Sequence, residues 1–209
     1  MVKKKLKQLL EFTQSLLPAT EGRFFSDSAP VLERYWAAKA GIGFVGKNTL
    51  LIIPGKGSFH FLGELIINKE LEYDTPLKLS CGSCTRCLDA CPTQAIVQPH
   101  LVNATKCISY QTIEKKGEHD ENFHPHGWVY GCDECQLVCP WNRFSKPHST
   151  PEFIPSTEFL ELDLTTLKEM TQEQFSSVFS KSAVKRAKHA GLQRNVFKLI
   201  NSEENNKKP

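Results

Sequence analysis

The chain has 209 residues, 40% hydrophobic and 23% charged, with a formal net charge of +3. No apolar run approaches the ~20 residues needed to span a bilayer, so a membrane-spanning helix is excluded and a cytoplasmic protein is expected. The charge is uneven: residues 181–209 hold eight Lys or Arg against Glu203 and Glu204, making this tail +6 and the rest −3.

Residues 2–17 read as an amphipathic helix ended by Pro18, with Leu6, Leu9, Leu10, Leu16 and Leu17 near one face and Lys3, Lys4, Lys7 and Gln14 away from it. Lys7, Glu11 and Gln14 also interrupt any export signal behind the basic start. Pro30 suits a first helical position, so a second helix is expected over 30–39, stopped by Gly41. Residues 49–53 and 58–67 are rich in β-branched and aromatic side chains around Pro54-Gly55-Lys56-Gly57, which predicts a β-hairpin. Loops and short helices are expected over about 78–145. Further helices are predicted at 164–170, 172–179 and 184–188, with a polar, frayed end from Glu203 to Pro209.

The segment Gly41-Ile42-Gly43-Phe44-Val45-Gly46-Lys47-Asn48 satisfies G-x-G-x-x-G and comes within one residue of the phosphate-loop pattern. Both patterns need a strand before and a helix after. Here a helix precedes, a strand follows, and Asn48 replaces the magnesium-binding hydroxyl, so nucleotide binding is rejected. The glycines are instead expected to let the backbone turn tightly and approach a ligand.

Cysteines stand at Cys81, Cys84, Cys87 and Cys91, followed by Pro92, and again at Cys107, Cys132, Cys135 and Cys139, followed by Pro140. Disulfides of a secreted protein are disfavoured, because a chain of this size buries roughly 70% of its unfolded surface without staples. Zinc fits the Cys81/Cys84 and Cys132/Cys135 knuckles but needs no third cysteine at x2 or fourth at x3-Pro. The run C-x2-C-x2-C-x3-C-P resembles that of bacterial two-cluster ferredoxins, whose fourth cysteine ligates the other cluster. Carried over, one [4Fe-4S] cluster takes Cys81, Cys84, Cys87 and Cys139. The other takes Cys91, Cys107, Cys132 and Cys135, with Cys107 brought in by a loop that folds back.

Three further stretches carry a wider resemblance. They are Phe25-Ser26-Asp27-Ser28-Ala29-Pro30-Val31-Leu32-Glu33; Ala38-Lys39-Ala40 running through the glycine segment to Asn48-Thr49-Leu50-Leu51-Ile52; and Gly131-Cys132-Asp133-Glu134-Cys135-Gln136 with Cys139-Pro140-Trp141-Asn142. Together with the cysteine runs they resemble the epoxyqueuosine reductase family, relatives of reductive dehalogenases. The resemblance covers nearly the whole chain. It implies an enzyme that uses cobalamin and two [4Fe-4S] clusters to convert epoxyqueuosine to queuosine in the anticodon loop of tRNA, fed by an unidentified electron donor. The implied fold is α+β: part of a cobalamin-binding α/β domain over 1–77, a bacterial-ferredoxin-like two-cluster module over 78–145, and a helical C-terminal segment with a basic tail over 146–209. Family members carry a further α/β stretch of ~100 residues ahead of the first helix seen here. A monomer is expected.

Turning an epoxide into an alkene consumes two electrons and two protons and releases water, so an electron relay, a strong reductant and an acid are required. The resemblance makes Asp27 the proton donor, with Phe24 and Phe25 as an apolar wall that would keep its carboxyl protonated. By its residues alone, Asp27 also reads as an N-terminal helix cap before Pro30. Gly43, Gly46, Lys47, Asn48 and Thr49 are candidate corrinoid contacts. His124, Pro125, His126, Trp128 and Tyr130 read as a surface loop, with Trp128 and Tyr130 shielding a cluster. Lys181, Lys185, Arg186, Lys188, Arg194 and Lys198 are candidates for tRNA phosphates, against the plainer reading of a solvated helix face. Two rival functions fit parts of the pattern: a dicluster electron carrier, which needs only the cysteines, and a corrinoid-dependent reductase of a small molecule, which needs no cationic tail.

Overall fold

The computed structural model describes residues 1–206, with side chains through Glu203. Lys207, Lys208 and Pro209, counted in the basic tail and the predicted frayed end, lie outside the described residues. The elements run α1 (Val2–Leu16), β1 (Gly22–Phe25), α2 (Glu33–Lys39), β2 (Phe44–Val45), β3 (Leu51–Ile52), β4 (Glu64–Ile67), α3 (Arg86–Asp89), β5 (Ile96–Gln98), β6 (Leu101–Val102), α4 (Ile108–Ile113), α5 (Glu134–Leu137), α6 (Thr157–Leu160), α7 (Leu164–Glu169), α8 (Gln172–Val178) and α9 (Lys188–Asn206), with short 3-10 turns between them. Mixed helices and small sheets make an α+β chain. It divides into two compact units: Met1–Cys87 with Gln136–Glu152, and Leu88–Cys135 with the residues from Phe153 onward.

In the first unit β1 and β4 pair antiparallel, Gly22 opposite Ile67 and Phe25 opposite Glu64. Side chains alternate between faces, so Gly22, Phe24, Leu65 and Ile67 share one face. α1 covers that face: a methyl group at Gly22 would stand 2.9 Å from Leu10 Cδ1. Arg23, Phe25, Glu64 and Ile66 occupy the other. Only part of the predicted leucine stripe is used, since Leu6 is buried while Leu9 and Leu16 stay 47% and 63% exposed.

The hairpin predicted over 49–53 and 58–67 does not form. β3 pairs back onto β2, with Phe44 opposite Ile52, and β4 pairs with β1; the turn at Pro54 closes only an isolated bridge between Ile53 and Gly57. Strand-forming composition was legible, but the partner was decided by burial: pairing β3 with β2 leaves Ile52 1% exposed and Phe44 5%. α2 begins at Glu33 rather than Pro30, because Val31 N–H already bonds Ala29 O (2.8 Å) in a tight turn.

The second unit is built on α7, α8 and α9. Its core is Met170, Phe175, Phe179, Val184 and Leu192, against which Val129, Tyr130, Leu162, Leu167 and Val178 pack. Local signals set α7 and α8: Asp163 Oδ1 accepts Thr166 N–H at 2.7 Å, and Thr171 with Gln174 forms a capping box. The helix predicted at 184–188 is instead a 3-10 turn over Ala183–Ala187, and α9 continues to Asn206 through part of the stretch expected to fray. Leu192, Val196 and Leu199, at helical spacing and at most 3% exposed, anchor it.

Asn195 on α9 is the polar pin of this unit. Its Nδ2 donates to Thr112 O (2.8 Å) and Val129 O (2.9 Å), and its Oδ1 faces His119 Nε2 (2.9 Å) and accepts from Arg194 Nη2 (3.0 Å). Burial first, then the Arg194 charge, lowers the His119 pKa against the raising pull of its bond to Asn195. Asn195→Ala leaves two carbonyls without this donor, and we expect about 2–4 kcal/mol of lost stability in urea unfolding of the cluster-loaded protein. An unchanged urea midpoint would contradict this assignment.

Candidate functional site

The eight cysteines all stand outside any disulfide. The chain passes between units at Cys87/Leu88 and at Cys135/Gln136, in each case just before the last cysteine of a run. Cys81, Cys84, Cys87 and Cys139 therefore lie together in the first unit, and Cys91, Cys107, Cys132 and Cys135 in the second. A cavity in the first unit is lined by all four of its cysteines and walled by Ile52, Pro140 and Trp141. Phe44 backs this wall, its ring meeting Trp141 edge-on at 5.2 Å. In the second unit a 3-10 turn over Ala104–Lys106, capped by Asn103, delivers Cys107 to the start of α4.

The thiols act on one another within each set. Burial and then Cys81 push Cys87 up, with Cys139 and Cys84 adding smaller amounts. Burial raises Cys132 as well, with Cys107 and Cys91 among the contributing charges. Such thiols ionise on binding iron, and binding releases their protons. Burial also raises Cys91, but N–H groups of Ile96 and Ala95 and the Thr93 hydroxyl outweigh it and bring the thiol down. Ala95 N–H reaches Cys91 Sγ at 3.2 Å, and Lys47 N–H reaches Cys81 Sγ at 3.4 Å. Bonds of this kind to sulfur raise a cluster's potential.

The glycine segment supports this first cavity. Lys47 Nζ donates to Gly82 O (2.8 Å) and Cys84 O (2.9 Å), clamping the Cys81–Cys84 loop. Asn48 is 4% exposed. Thr49, at φ +67°, presents its carbonyl (2.5 Å) and hydroxyl (3.2 Å) to Arg34 Nη1. A methyl group at Gly43 would collide with Ile52 O, and one at Gly46 with the Ile52 side chain. What the two glycines admit is thus β3.

Cys139 is positioned by a motif whose role sequence reasoning missed. Asn142 Oδ1 accepts Ser58 N–H (2.6 Å), and its Nδ2 donates to Gln136 O (2.8 Å) and Ser58 Oγ (3.0 Å). Gly57, at φ +85°, lies against Asn142 and leaves no room for a side chain. The signals were the Gly57-Ser58 turn sequence and Asn142 at the end of the Cys139-Pro140-Trp141-Asn142 stretch, and neither says anything of its distant partner.

Asp27 follows β1 at φ +65°. Ser28 N–H bonds Ser26 O at 2.8 Å, so Asp27 is the central residue of a three-residue turn of the strained kind. Ser26 Oγ donates to Leu62 O (2.8 Å), and Asp27 N–H donates to Glu33 Oε1 (2.5 Å). Asp27 does not cap α2, whose N-cap is Leu32. It is exposed, and the apolar wall expected from Phe24 and Phe25 does not enclose it, because both belong to or end the paired strand β1.

Among the basic residues, Lys181, Lys185 and Lys188 are exposed. Arg186 pairs with Glu114 at 2.8 Å. Arg194 donates to the carbonyls of Lys115 (2.8 Å), Gly117 (2.6 Å) and Gln111 (3.0 Å), and Lys198 to those of Asp120 (3.3 Å) and Glu121 (2.8 Å). These last two side chains hold the second unit together. In the 124–130 loop, His126 N–H bonds His124 Nδ1 (3.0 Å), Trp128 Nε1 donates to Glu134 (3.2 Å), and Tyr130 donates to Ala183 O (2.6 Å).

Residues 80–142 match the 4Fe-4S double cluster binding domain. The chain is 53% identical over 198 residues to an epoxyqueuosine reductase of Cellulophaga algicola, covering 94% of this chain and 65% of that protein. It is 45% identical over 199 residues to one of Synechocystis sp., covering 92% and 68%. A solved structure of epoxyqueuosine reductase with a tRNA-Tyr epoxyqueuosine-modified stem loop superposes with a TM-score of 0.89 at 35% identity, covering 95% of this chain and 53% of that one. The chain thus spans about two thirds of the length of these relatives and about half of that solved structure.

Proposed function

The chain belongs to the epoxyqueuosine reductase family, and we propose that it provides the electron relay, the acid and part of the tRNA surface of an enzyme converting epoxyqueuosine to queuosine in tRNA. One observation carries this furthest: the eight cysteines divide four and four between the units. Each set has the number and type of donors of one [4Fe-4S] cluster, and the first lines a cavity with an apolar wall. The reaction takes two electrons through the clusters from a donor outside the chain, adds two protons, breaks two C–O bonds and releases the oxygen as water.

Cobalamin, which the family resemblance implies, supplies a low-valent cobalt centre as the reductant of the substrate when bound. Of the candidate corrinoid contacts, Lys47 grips the cysteine loop, Asn48 is buried, Thr49 is bonded to Arg34, and Gly43 and Gly46 face Ile52. We assign that loop to holding the first cluster. Asp27 is the proposed acid. Its side chain is exposed, so a substrate loop seated over the turn can reach it.

For tRNA, the exposed Lys181, Lys185 and Lys188 are the proposed phosphate contacts, while Arg186, Arg194 and Lys198 have structural partners. Anticodon bases are unstacked and reachable without opening a duplex, and a tRNA substrate supports a cytoplasmic location. No described helix is long and apolar enough to cross a membrane. Changing the three lysines to glutamate should weaken binding of a modified stem loop at least tenfold and flatten its salt dependence. Identical binding isotherms at low and high salt would remove this surface from the reading.

The decisive assay is anaerobic. The full reductase, loaded with clusters and cobalamin, is given a strong reductant and an epoxyqueuosine-modified stem loop, and the nucleosides are analysed. Queuosine is the expected product. Rapid electron transfer to a generic acceptor with no queuosine formed would favour the electron-carrier alternative.

A further inference from the structure

We propose that Glu64 donates its proton in a hydrogen bond to Glu33, and that this carboxyl pair is the device that positions Asp27. The inference rests on Asp27 being the acid of the reaction. A non-glycine residue at φ +65° in a tight turn persists only where its surroundings impose it. One restraint on Asp27 from outside its own turn is Glu33, whose Oε1 accepts the Asp27 N–H at 2.5 Å. Glu33 can serve as that acceptor only while it is itself held in place.

Glu64 is the group that holds it. It lies on β4 opposite Phe25, two residues before Asp27, on the sheet face away from α1. Its Oε2 is buried without a hydrogen-bond partner among the described residues. A bare oxygen is costly on an ionised carboxylate and far less so on a neutral acid. The Glu64 hydroxyl therefore donates to the Glu33 carboxylate, and the Glu33 carboxylate accepts the Asp27 N–H. Burial first, and then the charge of Glu33 and the hydrogen bond to it, raise the Glu64 pKa to about 7.

Other charged groups around the pair are placed differently. Arg23 shares the Glu64 face two residues back along β1, and is exposed. On α2, Arg34 is engaged with Thr49 O. Lys3, Lys4, Lys5, Lys7 and Glu11 belong to α1, across the sheet, with Lys3 Nζ 3.3 Å from Ser28 Oγ. Glu33 is the charge that acts on Glu64.

Above pH about 7 the Glu64 proton is lost, two carboxylates repel, and Asp27 loses its anchor. Folded Glu64 keeps its proton up to about 7, against 4.5 for the ordinary group, so stability from the pair is present below 4.5 and falls as pH rises between these values. Glu64→Gln should remove this fall from the thermal unfolding curve and flatten the alkaline decline of kcat in the full, cofactor-loaded reductase. Glu33→Ala should lower kcat at least tenfold with KM unchanged and speed hydrogen exchange at the Asp27 amide. Glu33→Gln, which retains an acceptor oxygen, should restore most of both. An unaltered pH profile in Glu64→Gln, or native Asp27 exchange and kcat in Glu33→Ala, would overturn the positioning role. Full conversion by Asp27→Asn would instead overturn the acid assignment beneath it.

Discussion

Replacing Cys91 with serine should destroy the cluster of the second unit and spare the cluster of the run in which Cys91 sits. Cys91 follows Cys81, Cys84 and Cys87 in sequence, yet the unit boundary falls after Cys87 and leaves Cys91 with Cys107, Cys132 and Cys135. Losing one thiolate of four removes a cluster, so iron should fall from about eight to about four atoms per chain. Cys139→Ser should give the same loss of iron from the other cluster. The double variants discriminate: Cys91→Ser with Cys107→Ser should keep one cluster, whereas Cys91→Ser with Cys84→Ser should keep none. Any magnetic coupling between two reduced clusters should vanish in each single variant. If Cys91→Ser with Cys84→Ser retained a full cluster, the crosswise ligand sets would be wrong. Both single variants should also abolish queuosine formation, because each breaks the two-electron relay.

Asp27→Asn should cut conversion of epoxyqueuosine by about 10²- to 10⁴-fold, the range expected for removing a general acid. Asparagine is the informative replacement, because it tolerates the positive φ that Asp27 adopts and leaves the N–H bond to Glu33 available. Iron content and the visible spectrum should be those of the wild type, since the substitution leaves all eight cysteines in place. Asp27→Ala would mix loss of the acid with strain in the turn. Conversion at the wild-type rate by Asp27→Asn would place the acid elsewhere, on water or on the substrate itself.

The chemistry of this protein was legible wherever it depends on residue type and short spacing. The x2-x2-x3-Pro rhythm of Cys81 to Cys91 points to an iron-sulfur domain, because a cluster needs several thiolates from a short loop, and residues 80–142 match such a domain. Helix α1 was legible because its apolar stripe repeats within a few residues, and the caps of α7 and α8 act over as short a range. Such signals are local, so the chain carries them without its fold.

What the tertiary structure alone decided are the meetings between distant segments. β4 chose β1 over the adjacent β3, Gly43 and Gly46 made room for Ile52, and Arg194 turned inward onto the carbonyls of Lys115 and Gly117. The Glu33–Glu64 pair belongs to this class, since neither carboxylate is unusual until β4 brings one beside the other and buries it. Pairing of remote strands and the ionisation of buried groups depend on which surfaces lose water together, and that is a property of the folded chain, not of any window of its sequence.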